Sequence, residues 1–186
     1  MDVFHNARIT PALDFMRATA SGREIEANVL RKHDVVFTKD SETAVEIAEC
    51  ALVAEEIGDL VCGYHLAVAR PREGQAYGPF LAQSLRHPEI RWQFSRLANG
   101  VVRFGLTLDA IEQVENFLPD ISVQHSIAAV LDAEDSAVEA LTTRASHLRT
   151  QKRGVMQKLL TGEWRLDGRF DEAALVPPIL ATTGAG

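Results

Sequence analysis

From Ser122 onward the chain contains no Gly until Gly154 and no Pro until Pro177. Ser122 suits an N-cap and Gly162 a C-terminal stop, so the sequence predicts one helix from about Val123 to Leu160. At ~1.5 Å per residue such a helix spans about 57 Å, roughly three times the usual length. A globule made from the ~120 residues ahead of it is only ~35 Å across. Part of the helix is therefore expected to stand clear of that globule, and any apolar stripe on that part needs a partner.

The stripe is regular. Ile127, Leu131, Glu134, Val138, Leu141, Ala145, Leu148, Lys152, Val155 and Leu159 are spaced alternately four and three residues apart, a heptad seam broken only by Glu134 and Lys152. Both Ile127 with Leu159 and Glu134 with Lys152 are centred on Thr143. Two copies packed antiparallel about Thr143 set Glu134 against Lys152, Leu131 against Val155, and Val138 against Leu148. A parallel pair would oppose Glu134 to Glu134 and Lys152 to Lys152. The outer charges follow the same logic: Asp132, Asp135 and Glu139 lie in the first half, and Arg144, Arg149, Arg153 and Lys158 in the second. A helix dipole acts within about one turn of an end and does not account for charge spread over the whole length. A buried ionic pair adds little net stability, but it fixes register and orientation.

The 186 residues carry 19 basic and 26 acidic side chains, a net charge of −7. Indiscriminate adhesion to nucleic acid is thereby disfavoured, although binding depends on local patches. Arg86, Arg91, Arg96 and Arg103 stand against Glu89 alone in one stretch, and five bases with no acid lie between Ala140 and Gly162. No apolar run approaches the ~18 residues of a membrane span, and the start, Met1-Asp2-Val3-Phe4-His5, lacks the pattern of a signal peptide. Cys50 and Cys62 make no disulfide framework. A soluble, cytoplasmic protein is the expectation.

The fold class expected is α+β: a mixed α/β globule over residues 1–118, the long helix over 119–166 forming an antiparallel coiled coil, and a mobile tail over 167–186. Within the globule, Asp34-Val35-Val36-Phe37-Thr38 and Tyr64-His65-Leu66-Ala67-Val68-Ala69 read as strands. Gly78-Pro79 opens a helix through Leu85, Pro88 opens another carrying Ile90, Phe94 and Leu97, and Thr107 caps a short third through Ile111. Trp92, at helical spacing, reads as core.

These residues resemble the C-terminal half of a type I restriction–modification specificity subunit. That family's helix opens with a Leu-Pro-Pro-Leu-x-Glu-Gln-x-x-Ile pattern, and here Leu118-Pro119-Asp120-Ile121-Ser122-Val123-Gln124-His125-Ser126-Ile127 stands in its place. The ending Lys152-Arg153-Gly154-Val155-Met156-Gln157-Lys158-Leu159-Leu160-Thr161-Gly162 is the most specific match, because coiled-coil periodicity does not demand it. Upstream, His33-Asp34-Val35-Val36-Phe37-Thr38-Lys39-Asp40-Ser41 resembles the family's Gly-Asp-Val-Leu-Phe-Thr-Arg-Asp-Gly turn. Gly63 to Pro71 resembles its second recurring strand, and Arg96 to Leu106 resembles its Ala-x-Gly loop. The departures are Val123 for Glu, Asp120 for the second Pro and His33 for Gly.

The resemblance implies a non-catalytic subunit that reads one half of a bipartite double-stranded DNA site while the helix sets the spacing to the other half. It implies modification (methyltransferase) and restriction subunits as partners, and no cofactor. A complete subunit has two recognition domains and two such helices, so one of each here implies a homodimer or pairing with another half-subunit. The candidate DNA contacts are the loop residues Thr38, Lys39, Asp40, Ser41, His65, Asn99, Val101 and Arg103. Arg reads guanine and Asn reads adenine, each with two hydrogen bonds, whereas Lys39 suits a phosphate. The rival reading is a degenerate fragment that dimerises through the seam without binding DNA. Cys50, Cys62 and His65 lack a fourth ligand for zinc, and nothing in the sequence orients Cys62 and His65 for nucleophilic catalysis.

Overall fold

The computed structural model describes residues 6–166, so the tail expected over 167–186 lies outside the described residues. In chain order the elements are β1 (Arg8–Ile9), α1 (Gly22–Asn28), β2 (Val35–Thr38), β3 (Asp40–Ser41), β4 (Cys50–Val53) and β5 (Leu66–Ala69). They continue with α2 (Gly78–Arg86), α3 (Pro88–Leu97), β6 (Phe104–Gly105), α4 (Leu108–Glu112) and α5 (Ile121–Leu160). The chain divides into two compact units, one ending at Glu134 and the other beginning at Asp135. Among the described residues no helix is long and apolar enough to cross a membrane.

In the first unit a four-stranded sheet runs in the order β1-β4-β2-β5. β2 is antiparallel to both β4 and β5, and β1 is parallel to β4. The pleat sorts the side chains into two cores. Val35, Phe37, Cys50 and Leu52 face Ala82 and Leu85 of α2, Ile90 and Phe94 of α3, and Ala110 of α4. Val36, Ala51 and Val53 face the other way, against Ile9, Leu30 and partly buried Phe15 and Leu60. The predicted strand at the first site is β2, and the second begins two residues late because Gly63 to Leu66 forms a turn, with Leu66 N donating to Gly63 O at 3.0 Å. β4, at the centre of the sheet, is an addition: buried on both faces, it has no alternation to betray it. All three predicted helices are present, and the Thr107 hydroxyl caps α4 by accepting from Ala110 N at 3.1 Å.

Two features fix the approach to the sheet. Asp34 is buried and accepts from Arg70 Nε at 2.8 Å, Arg70 Nη2 at 2.7 Å and Arg31 N at 2.8 Å, so its charge is paired and hydrogen-bonded. His33 adopts a φ of 74°, the left-handed region that favours glycine. The His33 carbonyl also comes so close to Gly78 that a Cβ there would lie 2.2 Å from it.

α5 starts at Ile121, not Val123. Asp120 marks the boundary, because its carbonyl accepts from Val123 N at 2.9 Å and from Gln124 N at 3.0 Å, and Ser122 falls inside the first turn. The part of α5 within the first unit is held by one stripe. Gln124 and Ala128 are buried, and Asp132 accepts from Gln83 Nε2 at 3.3 Å and pairs with Arg8 at 3.5 Å. Ile127, Leu131 and Glu134 lie roughly a quarter-turn round from that stripe and are exposed.

In the second unit Val138, Leu141, Leu148, Lys152 and Val155 are exposed, and Ala145 and Leu159 are half-buried. Helix α5 ends where the sequence predicts a stop: Gly162 takes a φ of 75°, and Trp164 N turns back to donate to Lys158 O at 2.9 Å. Lys158 pairs with Glu163 and lies over the Trp164 ring, 5.1 Å from its centre.

Candidate nucleic-acid interface

Three chain segments meet at one edge of the first unit. β3 pairs antiparallel with β6, Asp40 opposite Gly105 and Ser41 opposite Phe104. Lys39 N donates to His65 O at 3.1 Å, and Leu106 N donates to Lys39 O at 2.8 Å. Asn99 and Gly105 exchange both backbone hydrogen bonds, at 3.0 and 2.8 Å, which closes the loop between them. Gly100 turns that loop at a φ of 150°, where a Cβ would lie 1.9 Å from the Arg103 carbonyl oxygen. Only glycine fits.

Side chains lock the same edge. One Asp40 carboxylate oxygen accepts from Arg103 Nη2 at 2.8 Å, and the other lies 2.6 Å from His65 Nδ1. The Lys39 ammonium sits 4.5 Å from the centre of the Tyr64 ring, whose edge meets His65 at 5.2 Å between centroids. Burial pushes the Asp40 carboxyl up, but the hydrogen bonds from His65 and Arg103, with their charges, outweigh it and hold the group below its ordinary range. Arg103 spends one donor on Asp40 and has others in its five-donor fork for a ligand.

The lowered Asp40 pKa has a stability consequence. A carboxyl whose folded pKa lies below its unfolded one contributes stability that is present above the unfolded value, ~4, and is lost as pH falls through the folded one. Asp40→Asn is therefore expected to lower stability by about 1 kcal/mol at neutral pH. The gap between variant and wild type should close as the solution is acidified below the ordinary Asp range. Thermal unfolding of both proteins across that range checks it, and a gap unchanged in acid would contradict the ion-pair account.

Of the residues predicted from sequence, Lys39, Asp40, His65 and Arg103 are brought into contact or near-contact, Asn99 joins them through the backbone, and Val101 stands on the same closed loop. Thr38 and Ser41 are corrections. Both are buried: the Thr38 hydroxyl accepts from Glu49 N at 3.1 Å, and Ser41 Oγ accepts from Thr43 N at 3.4 Å. Their side chains are taken up by these bonds within the fold. The basic stretch read along the chain is also dispersed. Arg86 donates to Ala7 O at 2.6 Å, Arg91 to Val45 O at 2.8 Å with Glu49 beside it, and Arg96 lies over Trp92. Trp92 is exposed rather than core.

Tyr64 and Val102, 82% and 87% exposed, were not among the predicted contacts. The turn at Gly63 was the available signal for Tyr64, and the adjacent valines after Asn99-Gly100 for Val102. Cys62 and His65 form no catalytic pair. Burial pushes the Cys62 thiol up to about 11, and it donates to Gly63 O, while His65 is engaged by Asp40. Cys50, also raised by burial, donates to Ala82 O within the core, whereas Cys62 packs against the other core, so the two sulfurs have separate surroundings.

No protein-family model matches the chain, and no curated protein matches it. Solved structures do. One is the S subunit of a Type-I restriction-modification system from M. genitalium, 17% identical, with a TM-score of 0.50 over 70% of this chain and 33% of that one. Another is the HsdS subunit from Thermoanaerobacter tengcongensis, 22% identical, with a TM-score of 0.53 over 81% of this chain and 37% of that one. The chain spans about a third of the length of those subunits. Over the larger part of its length, this chain has the α+β fold of type I restriction–modification S subunits.

Proposed function

We propose that the chain is a sequence-specificity module of a type I restriction–modification system. Its first unit reads one half of a bipartite double-stranded DNA site. The seam on α5 pairs antiparallel with a second copy, or with another half-subunit, and sets the distance to the second half-site. Methyltransferase and restriction subunits dock on the assembly in the cytoplasm and carry the chemistry. The module itself is not an enzyme and needs no cofactor.

The observation that carries this reading is the Asp40 junction, on a chain with the S-subunit fold. It binds Arg103 and His65 from two other segments, beside Lys39 and the closed Asn99–Gly105 loop. Cations and hydrogen-bonding groups held on a rigid edge suit the phosphates and base edges of a duplex. Two of the remaining polar candidates divide by chemistry: Lys39 as a point charge for phosphate, and Arg103 as a fork for guanine.

The test uses the full chain with its methyltransferase subunit and a randomised duplex pool, followed by binding to the enriched sequence at several salt concentrations. Selective enrichment and a fall in affinity with salt are expected. Lys39→Ala should weaken binding to all sequences alike and reduce the salt slope by ~1. Arg103→Ala should cost about 1–3 kcal/mol on the selected site and relax the choice of base at one position. Intact dimers with negligible, salt-insensitive DNA binding would instead establish the degenerate-fragment reading.

A further inference from the structure

Val101 and Val102 are 93% and 87% exposed, two neighbouring apolar side chains almost wholly in water. Their loop is not slack. The Asn99–Gly105 exchange closes its root, Gly100 is pressed against the Arg103 carbonyl, and Arg103 itself is tied to Asp40. A rigid tip that spends nothing on the core, with cations at its base, is built to meet something outside. An apolar surface framed by polar groups is the usual mark of a contact site.

We propose that Val101 and Val102 read the C5-methyl groups of thymine in the major groove, so that the recognised half-site carries A·T pairs beneath this loop. This rests on the DNA-reading function above. The major groove is the place where a thymine methyl is displayed, and an apolar side chain is the complement to it. Side chains that wedge between base steps are longer or ringed, such as Phe, Leu, Ile or Met. Valine is short, and its branched Cβ restricts it at χ1, which favours a flat, pre-set contact over insertion. Arg103 stands on the same loop, and the Lys39 carbonyl accepts from Leu106 N at its root, so the valines add a reading of a different base beside groups for guanine and phosphate.

The experiment replaces each thymine of the enriched duplex with deoxyuridine, which removes only the methyl group. Wild-type chain, with its methyltransferase subunit, should lose about fourfold in affinity per contacted methyl. The Val101→Ser/Val102→Ser variant should bind the thymine and uracil duplexes equally, while keeping the wild-type salt slope. Indifference of the wild type to every such replacement, an enriched site lacking thymine, or a variant with the wild-type thymine preference each overturns the proposal alone. Failure of any sequence to enrich overturns the DNA-reading function and this proposal with it. Both valines are exposed, so their replacement leaves the cores untouched, and unfolding curves matching wild type should verify that.

Discussion

Gln124→Ala is expected to cost the fold about 4 kcal/mol, among the largest losses a single side chain here can cause. Gln124 is 0% exposed. Its carbonyl oxygen accepts from Tyr77 N at 2.9 Å, and its amide nitrogen donates to Gln75 O at 2.9 Å and Pro119 O at 2.7 Å. Truncation takes the partner from three part-buried backbone groups, each at about 1–3 kcal/mol, and leaves a cavity besides. Gln124→Glu keeps the shape but sets a carboxylate oxygen against two carbonyls, so it should be nearly as damaging. Denaturant unfolding measures both, and a loss below ~1 kcal/mol for Ala would mean the site is open to water.

The same residue marks a boundary of what the sequence discloses. The extent of α5 could be read to within two residues, since the absence of Gly and Pro over so many turns has few other outcomes. Its anchor could not, because a Gln beside Val123 and His125 looks like surface until the turn holding Gln75 and Tyr77 arrives over it. His125 is part of that contact, stacked on Tyr77 with ring centroids 3.8 Å apart. β4 was hidden for a related reason: Cys50-Ala51-Leu52-Val53 is apolar throughout, and periodicity does not separate a doubly buried strand from a helix segment.

The candidate interface was legible in part. Loops with Gly and polar residues pointed to Lys39, Asp40, His65, Asn99 and Arg103, and local turn chemistry was enough to name them. That Asp40 joins His65 to Arg103 depends on pairing between residues far apart in sequence, which no local pattern records. Thr38 closes the first predicted strand and Ser41 follows it closely, and both were placed among the loop contacts. Burial decides otherwise. Charge counted along the chain misled in the same way: Arg86 and Arg91 each cap a carbonyl of the fold, and Trp92, spaced as a core residue, supports Arg96 at the surface.

Glu134→Lys is expected to weaken self-association about 100-fold, and adding Lys152→Glu should restore it. In an antiparallel pair centred on Thr143 each copy sets Glu134 opposite Lys152 of the other, so one substitution converts two symmetric attractions into two repulsions. A change of about 3 kcal/mol over both pairs gives that factor in Kd. Added salt should shrink it only slightly, since the pairs lie within the seam, where screening is weak. In a parallel pair the wild type already opposes like charges at both positions, and Glu134→Lys would leave the affinity nearly unchanged. The direction of the single substitution thus reports orientation, and the double substitution reports register. Leu131, Val138, Leu141, Leu148 and Val155 are exposed in the single chain, so a second helix has an apolar surface to cover, whichever way it runs. The two seam charges, with the outer charges that follow the same pattern, distinguish the ways. Sedimentation equilibrium of wild type, single and double variants measures the outcome, and a double variant as weak as the single one would refute the Thr143-centred register.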